Sequence, residues 1–285
     1  MTTVDVLITG PDLQTHSATI HSLLPAGTQT RPGALRAVNL SPEKARGLRE
    51  SLCSYALDVL IVPHDFSVHD IRLATFDMDG TLIENECIDD IAHQMGRGDA
   101  VADITARAMR GELDFKASLT ERVKVLKGAR AEHIEEAVRG MRLQPGAKRL
   151  ADFLLTHGVK CYIISGGFTE FTLRVAEWLN FDGALSNELV YDSFGRLTGE
   201  VKGPAQGELI DADGKRRTLE VLAQLHGLTL AQTLAAGDGA NDQQMLHAAA
   251  YGVAYHAKPS AQAVADGIIT HSGLDVIPLL FRESW

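Results

Sequence analysis

The sequence IRLATFDMDGT, residues 71–81, places two carboxylates between a short apolar run and a glycine. The run at 71–76 predicts a buried strand, because it is apolar, short and followed by a turn signal. Residues i and i+2 of an extended chain point to the same side, so Asp77 and Asp79 are expected to face one site together. Ligands of parallel α/β sheets bind at the carboxyl ends of the strands. The stretch therefore predicts a functional site at the end of this strand.

The rest of the chain repeats an alternation of apolar runs and helical patterns. Strands are predicted at 159–164, 233–236 and 251–255. Helices are predicted between them, at 146–157, 168–180, 215–226 and 241–249. Strands that alternate with helices form parallel sheets. The fold class is therefore expected to be α/β, with a Rossmann-like parallel sheet.

Two regions depart from this alternation. Residues 86–140 contain several consecutive amphipathic segments and predict a helical cap inserted into the α/β domain at 71–285. Residues 1–70 predict a small α+β module, whose strands lie at Val4–Thr9 and near Leu57–Val62 and whose helices lie around 15–24 and 41–53. A boundary is expected near residues 63–65, where Pro, His and Asp follow one another.

Composition limits the function classes. The chain has 285 residues, a hydrophobic fraction of 45% and a formal net charge of −10. The negative charge disfavours nonspecific binding to nucleic acids or anionic lipids, which depends on Lys and Arg. The three cysteines form no CxxC pair, and no run approaches the roughly 18 apolar residues of a membrane span. We expect a soluble cytoplasmic protein with a small-molecule substrate.

Further polar groups are expected at the same sheet edge as the first acid pair. Asp238 and Asp242 lie in GDGAND, residues 237–242, directly after a predicted strand. Carboxylates gathered at one edge repel each other and imply a cation, and Mg²⁺ suits carboxylate and water ligands. Ser165 opens SGG, residues 165–167, whose hydroxyl and backbone N–H groups can bind phosphate oxygens. Lys215 can neutralise charge shared between such a phosphate and Asp77.

Each of these motifs alone has a structural alternative. A lone DxD is often part of a loop, SGG is a common turn, and GDGAND can cap a helix. A single lysine such as Lys215 is usually a solvated surface residue. The functional interpretation rests on four motifs in order, three of them at the ends of apolar strands.

One arginine within the cap has an unusual position. If residues 114–127 form a helix, steps of about 100° place Phe115, Leu119, Arg122 and Leu126 within about 60° of one another. Arg122 then lies on the apolar stripe, where it either reaches past the stripe to solvent or meets an anion such as a substrate carboxylate. The first arrangement is the commoner one.

The ordered motifs closely resemble the phosphoserine phosphatases of the haloacid dehalogenase (HAD) superfamily. The resemblance covers roughly residues 71–273 and includes DMDGT, ENECIDDIA, FKASLTERV, ISGGF, IDADGKRRTL, GDGANDQQML and GVAYHAKP. It implies a HAD core with a helical cap. Gly80 is a small departure, because many relatives have Ser there.

The resemblance also implies roles for individual residues. Asp77 is implied as the nucleophile and Asp79 as the general acid and base. The resemblance implies that Asp77, Asp238 and the backbone carbonyl of Asp79 bind Mg²⁺. Asp242 is implied to support this metal site. Phosphate binding is implied for Ser165, Gly166, Lys215 and Asn241.

The resemblance also implies the substrate, through residues of the cap. By the same resemblance Arg122 binds a substrate carboxylate, Glu86 binds its ammonium group and Phe115 closes the pocket. These roles predict hydrolysis of O-phospho-L-serine, the last step of serine biosynthesis. The alternatives are a phosphotransferase that passes the phosphoryl group to an alcohol such as homoserine, and a phosphatase for another small phosphorylated metabolite.

The N-terminal residues 1–70 have the size of the ACT-type regulatory modules that some members of the family carry. An amino-acid sensor is therefore a further hypothesis, from a different class of function. A module used for homodimerisation or stability is the alternative.

Overall fold

The computed structural model describes residues 3–285, so the first two residues of the predicted N-terminal module lie outside it. Within that range the strands form a four-stranded sheet near the N-terminus and a seven-stranded sheet in the remainder. The predicted α/β class, with a separate small α+β module, is confirmed.

The N-terminal module consists of β1 (Val4–Thr9), α1 (Asp12–Thr15), α2 (Ser17–Leu23), β2 (Gln29–Arg31), β3 (Ala34–Leu40), α3 (Pro42–Leu52) and β4 (Asp58–Pro63). Its sheet is antiparallel in the order β2-β3-β1-β4. The sequence pattern missed the hairpin of β2 and β3, and the helical stretch predicted at 15–24 is divided at His16. Helix α3 begins as the sequence indicates, because the Ser41 hydroxyl accepts a hydrogen bond from the Lys44 N–H and Pro42 follows it.

Both faces of this small sheet are covered. On one face, Val6, Ile8 and Leu35 belong to an apolar cluster with residues of α3. On the other face, Leu7 and Leu60 join the large apolar cluster of the second sheet. The module is therefore packed against the rest of the molecule through a buried surface.

The seven-stranded sheet has the order β11-β10-β9-β5-β6-β7-β8. Its strands are β5 (Leu73–Phe76), β6 (Lys160–Phe168), β7 (Gly183–Tyr191), β8 (Leu197–Lys202), β9 (Thr233–Gly237), β10 (Tyr251–Tyr255) and β11 (Gly267–Ile269). All neighbouring pairs are parallel except β7 and β8. The sequence pattern placed β5, β6, β9 and β10 and missed the edge strands β8 and β11 and the interior strand β7.

Helices fill the intervals between these strands. They are α4 (Cys87–Gln94), α5 (Gly98–Met109), α6 (Phe115–Val125), α7 (Ala131–Gly140), α8 (Ala147–Thr156), α9 (Thr169–Leu179), α10 (Ala212–Leu225), α11 (Gln243–Ala248) and α12 (Pro259–Gln262). Short 3-10 segments lie at Val68–Asp70, Pro204–Gln206, Leu230–Gln232, Ala240–Asp242, Leu274–Leu280 and Arg282–Ser284. Helices α4 to α7 form the helical insertion expected between β5 and the next strand, and we call them the cap. None of the helices in the described range combines the length and hydropathy needed to span a bilayer.

The strand register determines where the site forms. Phe76, the last residue of β5, pairs with Ile163 of β6 and with Ala236 of β9. Residues that follow these three positions therefore meet at one edge of the sheet, where β5 lies between strands reached by crossovers in opposite directions. Such a switch point is the usual ligand site of open α/β sheets.

Candidate active site

Asp77 lies at the centre of this edge. It directly follows β5 and is 5% exposed. One oxygen, Oδ1, accepts a hydrogen bond of 2.7 Å from its neighbour Met78, and the other, Oδ2, lies 2.7 Å from Lys215 Nζ. Gly80, two residues beyond Met78, has a φ of +72°, and a Cβ there would lie 2.9 Å from Asp238 Oδ2. A glycine thus lets the turn after β5 approach the second acidic loop.

The acids of the two loops form one cluster. Carboxylate oxygens of Asp77, Asp238 and Asp242 all lie within 4.8 Å of one another. The Thr81 hydroxyl donates to Asp238 Oδ1 over 3.0 Å, and the backbone N–H groups of Asp238 and Gly239 donate to Asp242 Oδ2. Burial, followed by the charge of Asp77, raises the pKa values of Asp238 and Asp242. Three oxygen donors that destabilise one another's charge fit a hard divalent cation.

Lys215 is completely buried among these acids. Its Nζ lies 2.7 Å from Asp77 and 2.6 Å from Asp242. Burial alone would lower the pKa of Lys215, but the charges of Asp242 and Asp77 overcome this effect and raise it. The lysine therefore remains a cation beside Asp77, although its hydropathy alone indicates a surface position.

Helix α10 begins earlier than the pattern indicated and so places Lys215 within its first turn. The Asp211 side chain accepts a hydrogen bond from Gly214 N–H and caps the helix, which starts at Ala212.

Asp79 lies beside the same acid cluster. Its Oδ1 atom is buried and has no hydrogen-bond partner among residues 3–285. Burial, and after it the charges of Glu86 and Asp77, raises the pKa of Asp79 well above its usual value. A carboxyl group in these surroundings can hold a proton at a pH where ordinary carboxyl groups are ionised.

The SGG turn lies beside these acids and forms the floor of the site. Ser165 is 1% exposed, and its Oγ accepts a hydrogen bond of 3.0 Å from Gly167 N–H. A Cβ on Gly167 would lie 3.2 Å from Asp79 Oδ2, so this turn lies directly beside the acid pair. A Cβ on Gly166 would lie 2.7 Å from the Phe115 ring, so the cap contacts the floor here.

Comparison with known proteins identifies the family of this chain. The family model described as haloacid dehalogenase-like hydrolase matches residues 74–247, which contain both acidic loops, the SGG turn and Lys215. The chain belongs to the haloacid dehalogenase-like hydrolase family.

Individual HAD proteins are similar over most of the chain. A phosphoserine phosphatase of Archaeoglobus fulgidus is 42% identical over 232 residues, which cover 81% of this chain and 66% of that protein. A phosphoserine phosphatase of Polaromonas sp. is 43% identical over 225 residues, which cover 78% of this chain and 94% of that protein. The crystal structure of a HAD family hydrolase from Salmonella enterica serovar Typhi has a TM-score of 0.86 and 30% identity, and the match covers 99% of this chain and all of that one.

Arg122 of this HAD chain lies in α6 of the cap, and Glu86 lies at the edge of the cap, directly before α4. Arg122 is half-buried, and its Nε atom is buried without a hydrogen-bond partner in the described part of the chain. Burial lowers the pKa of Arg122, while the charges of Asp89 and Glu86 act in the opposite direction. Glu86 precedes α4 and is exposed. The cap thus presents an unpaired cationic donor and an acid close to the HAD carboxylates.

The remaining predicted residue, Asn241, is half-buried in the turn after β9, beside Gly239. Three features of the HAD site had no assigned role in the sequence analysis. They are the Thr81 hydroxyl on Asp238, the ion pair of Lys116 with Asp211, and the buried amide of Asn187. Thr81 could have been found from its place in DMDGT, whereas the other two depend on contacts between distant segments.

Proposed function

We propose that the protein hydrolyses O-phospho-L-serine to L-serine and phosphate through an aspartyl-phosphate on Asp77. One observation carries this proposal: a half-buried arginine with an unpaired Nε lies in the cap above an acid and lysine cluster of the HAD type. The relatives from Archaeoglobus and Polaromonas, whose names are phosphoserine phosphatase, support the choice of substrate.

In the first step, a carboxylate oxygen of Asp77 attacks phosphorus in line, and the bond from phosphorus to the serine oxygen breaks. Asp79 donates its proton to that leaving oxygen. The ion pair with Lys215 orients Asp77 and balances its charge as the phosphate approaches.

In the second step, Asp79 takes a proton from water, and the resulting nucleophile attacks the phosphorus of the aspartyl-phosphate. The acyl phosphate bond breaks, which restores Asp77 and releases phosphate. The Ser165 hydroxyl, the Gly166 backbone, Asn241 and Lys215 would bind the phosphate oxygens in both steps. Asp79 thus starts and ends the cycle with its proton in place.

The acid cluster fits a divalent cation, and we propose Mg²⁺. Asp77, Asp238 and the backbone carbonyl of Asp79 would hold it, with Asp242 as a supporting residue. When bound, the cation would neutralise phosphate charge and screen the approach of one anion to another.

The cap would select the rest of the substrate. Arg122 would bind the carboxylate of phosphoserine by charge-assisted hydrogen bonds, and Glu86 would bind its ammonium group. Phe115, which contacts the Gly166 floor, would close the pocket and exclude water. This reaction would be the last step of L-serine biosynthesis.

We also propose a cytoplasmic location for this enzyme. The unpaired thiols of Cys53, Cys87 and Cys161 are consistent with it.

Residues 1–70 are proposed as a separate module beside the catalytic domain at 71–285, where they would support stability or homodimerisation. The amino-acid sensor hypothesis predicts instead that serine inhibits the enzyme through this module.

A phosphate-release panel tests the proposal. Phosphoserine, phosphothreonine and sugar phosphates are compared with Mg²⁺ present, for the native protein, for Asp77→Asn and for the exposed control Asp152→Asn. We expect phosphoserine to be preferred, Asp77→Asn to lose at least about 10³-fold in turnover because the nucleophile is removed, and Asp152→Asn to be unaffected. Turnover by Asp77→Asn close to the native value would exclude the mechanism, and preference for a sugar phosphate would exclude the substrate.

Two additions to the panel test the alternatives. Homoserine is added as an acceptor, and phosphorylated homoserine in place of free phosphate would identify a phosphotransferase. Serine is added as an inhibitor, and inhibition that does not compete with substrate would support the sensor hypothesis.

A further inference from the structure

The SGG turn interrupts the pairing of two strands. Ile164 of β6 pairs with Leu185 of β7, but the next paired residue of β6 is Phe168, opposite Asn187. Residues 165–167 therefore form a bulge, and their backbone groups lack the usual partners in β7. Bulges of this kind often re-aim groups beside active sites.

The side chain of Asn187 replaces the missing partner. Asn187 is fully buried, and its Nδ2 donates a hydrogen bond of 2.8 Å to the Gly166 carbonyl. Its Oδ1 accepts a hydrogen bond of 2.8 Å from the N–H of Ile210, which leads into the helix that carries Lys215. A carbonyl only accepts and an N–H only donates, so these two partners fix the orientation of the amide.

The bond to Gly166 has a consequence on the other side of the same peptide group. The Gly166 carbonyl and the Gly167 N–H belong to one planar trans unit and point in opposite directions. With the carbonyl held by Asn187, the Gly167 N–H donates to Ser165 Oγ over 3.0 Å. A serine hydroxyl is one donor and two acceptors, so an acceptor position is filled and the hydrogen remains free for a phosphate oxygen.

We propose that Asn187 is a positioning residue for phosphate binding, which acts through the Gly166–Gly167 peptide on the hydroxyl of Ser165. The proposal rests on the proposed function only in that the site binds a phosphoryl group. Without Asn187, the two glycines allow the peptide to rotate, and the Ser165 hydroxyl would then lose the N–H that holds it towards the anion. The second hydrogen bond, to Ile210, would keep the segment before Lys215 in register with this turn.

Asn187→Asp tests the two hydrogen bonds of the Asn187 amide separately. It keeps an acceptor for Ile210 but removes the donor to Gly166 and places a carboxylate against that carbonyl. We expect the dissociation constant of inorganic phosphate to rise, and kcat/KM for p-nitrophenyl phosphate to fall, by about tenfold to a hundredfold. Asn187→Ala is the second variant, and Ser186→Ala is the matched control. Ser186 is a buried neighbour that bonds the Thr172 hydroxyl instead, and its variant should stay within about twofold of the native values.

A double-mutant cycle with Ser165→Ala distinguishes positioning from a general structural role. If Asn187 acts through Ser165, Asn187→Asp should cost less than about threefold once Ser165 is already alanine. The amide resonance of Gly167 should also shift when phosphate is titrated into the native protein, and this response should be lost in Asn187→Asp. Additive losses in the cycle, or native affinity in Asn187→Asp, would overturn the proposal.

Two further outcomes distinguish a loss of folding from a failure of the proposed function. Loss of the folded far-UV spectrum in both Asn187 variants would assign the residue to sheet stability and overturn the proposal. Failure of the native protein to hydrolyse phosphoserine would count against the proposed function alone, because phosphate binding and p-nitrophenyl phosphate turnover can still be measured.

Discussion

The N-terminal module and the cap both pack against the core, but they do so through different kinds of contact. In the module, the buried Arg36 guanidinium bonds Asp5 over 2.8 Å and donates to the Leu280 carbonyl of the core. In the cap, Lys116 bonds Asp211 over 3.0 Å with side chains that are 46% and 23% exposed. One contact is excluded from water, and the other is wet.

The difference in water access determines how firmly each contact holds its region against the core. Undocking the module would break the buried hydrogen bond from Arg36 to the Leu280 carbonyl, whereas an exposed ion pair contributes little and is screened by salt. The large apolar cluster includes Leu7 of the module and Leu119 of the cap, so the two contacts differ in their polar groups and not in apolar burial. The polar contact of the module is therefore suited to remain closed, and the edge of the cap at Lys116 is suited to open when substrate enters and product leaves.

Arg36→Met should break the module contact and give the largest change. Asp5 would stay buried without its guanidinium partner, so we expect the free energy of unfolding to fall by about 3–5 kcal/mol. Urea denaturation measures this value. Arg46→Met, an exposed change on α3, is the control and should stay within about 0.5 kcal/mol. A loss below about 1 kcal/mol for Arg36→Met would show that the buried Arg36–Asp5 pair contributes little to stability.

Arg122→Ala tests whether Arg122 binds the carboxylate of the substrate. Charge-assisted hydrogen bonds contribute about 1.5–3 kcal/mol, so kcat/KM for phosphoserine should fall by about 10-fold to 150-fold. Turnover of p-nitrophenyl phosphate, which has no carboxylate, should change by less than about threefold. The control is Arg130→Ala, at an exposed position of the same region. Equal losses for both substrates would contradict the role of Arg122 in substrate choice.

Glu283→Gln tests a second contact between the N-terminal residues and the chain end. Burial would raise the pKa of Glu283, but hydrogen bonds from the Ser67 hydroxyl and the Val68 N–H lower it to about 2 from a reference of 4.5. Because the folded-state pKa is depressed, the stabilisation is complete above about pH 4.5 and is lost as the pH falls towards about 2. We expect Glu283→Gln to be less stable than the native protein at pH 7, by less than about 1.5 kcal/mol. Urea denaturation should show a smaller difference between the two proteins at pH 3.5 than at pH 7, which shrinks further towards about pH 2, and a constant difference would contradict this assignment.

Lys116→Ala should have the smallest effect. An exposed pair contributes about 0.2–1 kcal/mol, so KM for phosphoserine should rise by no more than about fivefold at low salt, and the difference should disappear at high salt. Lys124→Ala, at an exposed position of the same helix, is the control. A large effect that persists at high salt would mean that this edge of the cap is rigidly held.

The sequence predicted those parts of the molecule that depend on local pattern. The central strands β5 and β9 are continuous apolar runs followed by acids, so their place and the meeting of their loops could be inferred. Strand β7, between β6 and the edge strand β8, mixes Ser, Asn and Glu with apolar residues, because it is only partly buried, and it gives no clear period.

Single polar residues were harder to interpret. The hydrogen-bond partners of Asn187 lie 21 and 23 residues away, so no local pattern indicates its burial. The hydropathy of Lys215 indicates solvent exposure, and its burial is explained only by Asp77 and Asp242, which other segments supply. Resemblance to a family singled out Lys215, but it did not show that a lysine could be fully enclosed.

The pairing of β5 with β9 also bears on how the protein folds. Thr81 and Asp238, which share a hydrogen bond across the two acidic loops, are 157 residues apart in the chain. The cap helices form from local contacts, whereas this junction requires the closure of a long loop, which slows folding. Recovery of catalysis after dilution from denaturant should therefore lag behind recovery of the helical circular dichroism signal.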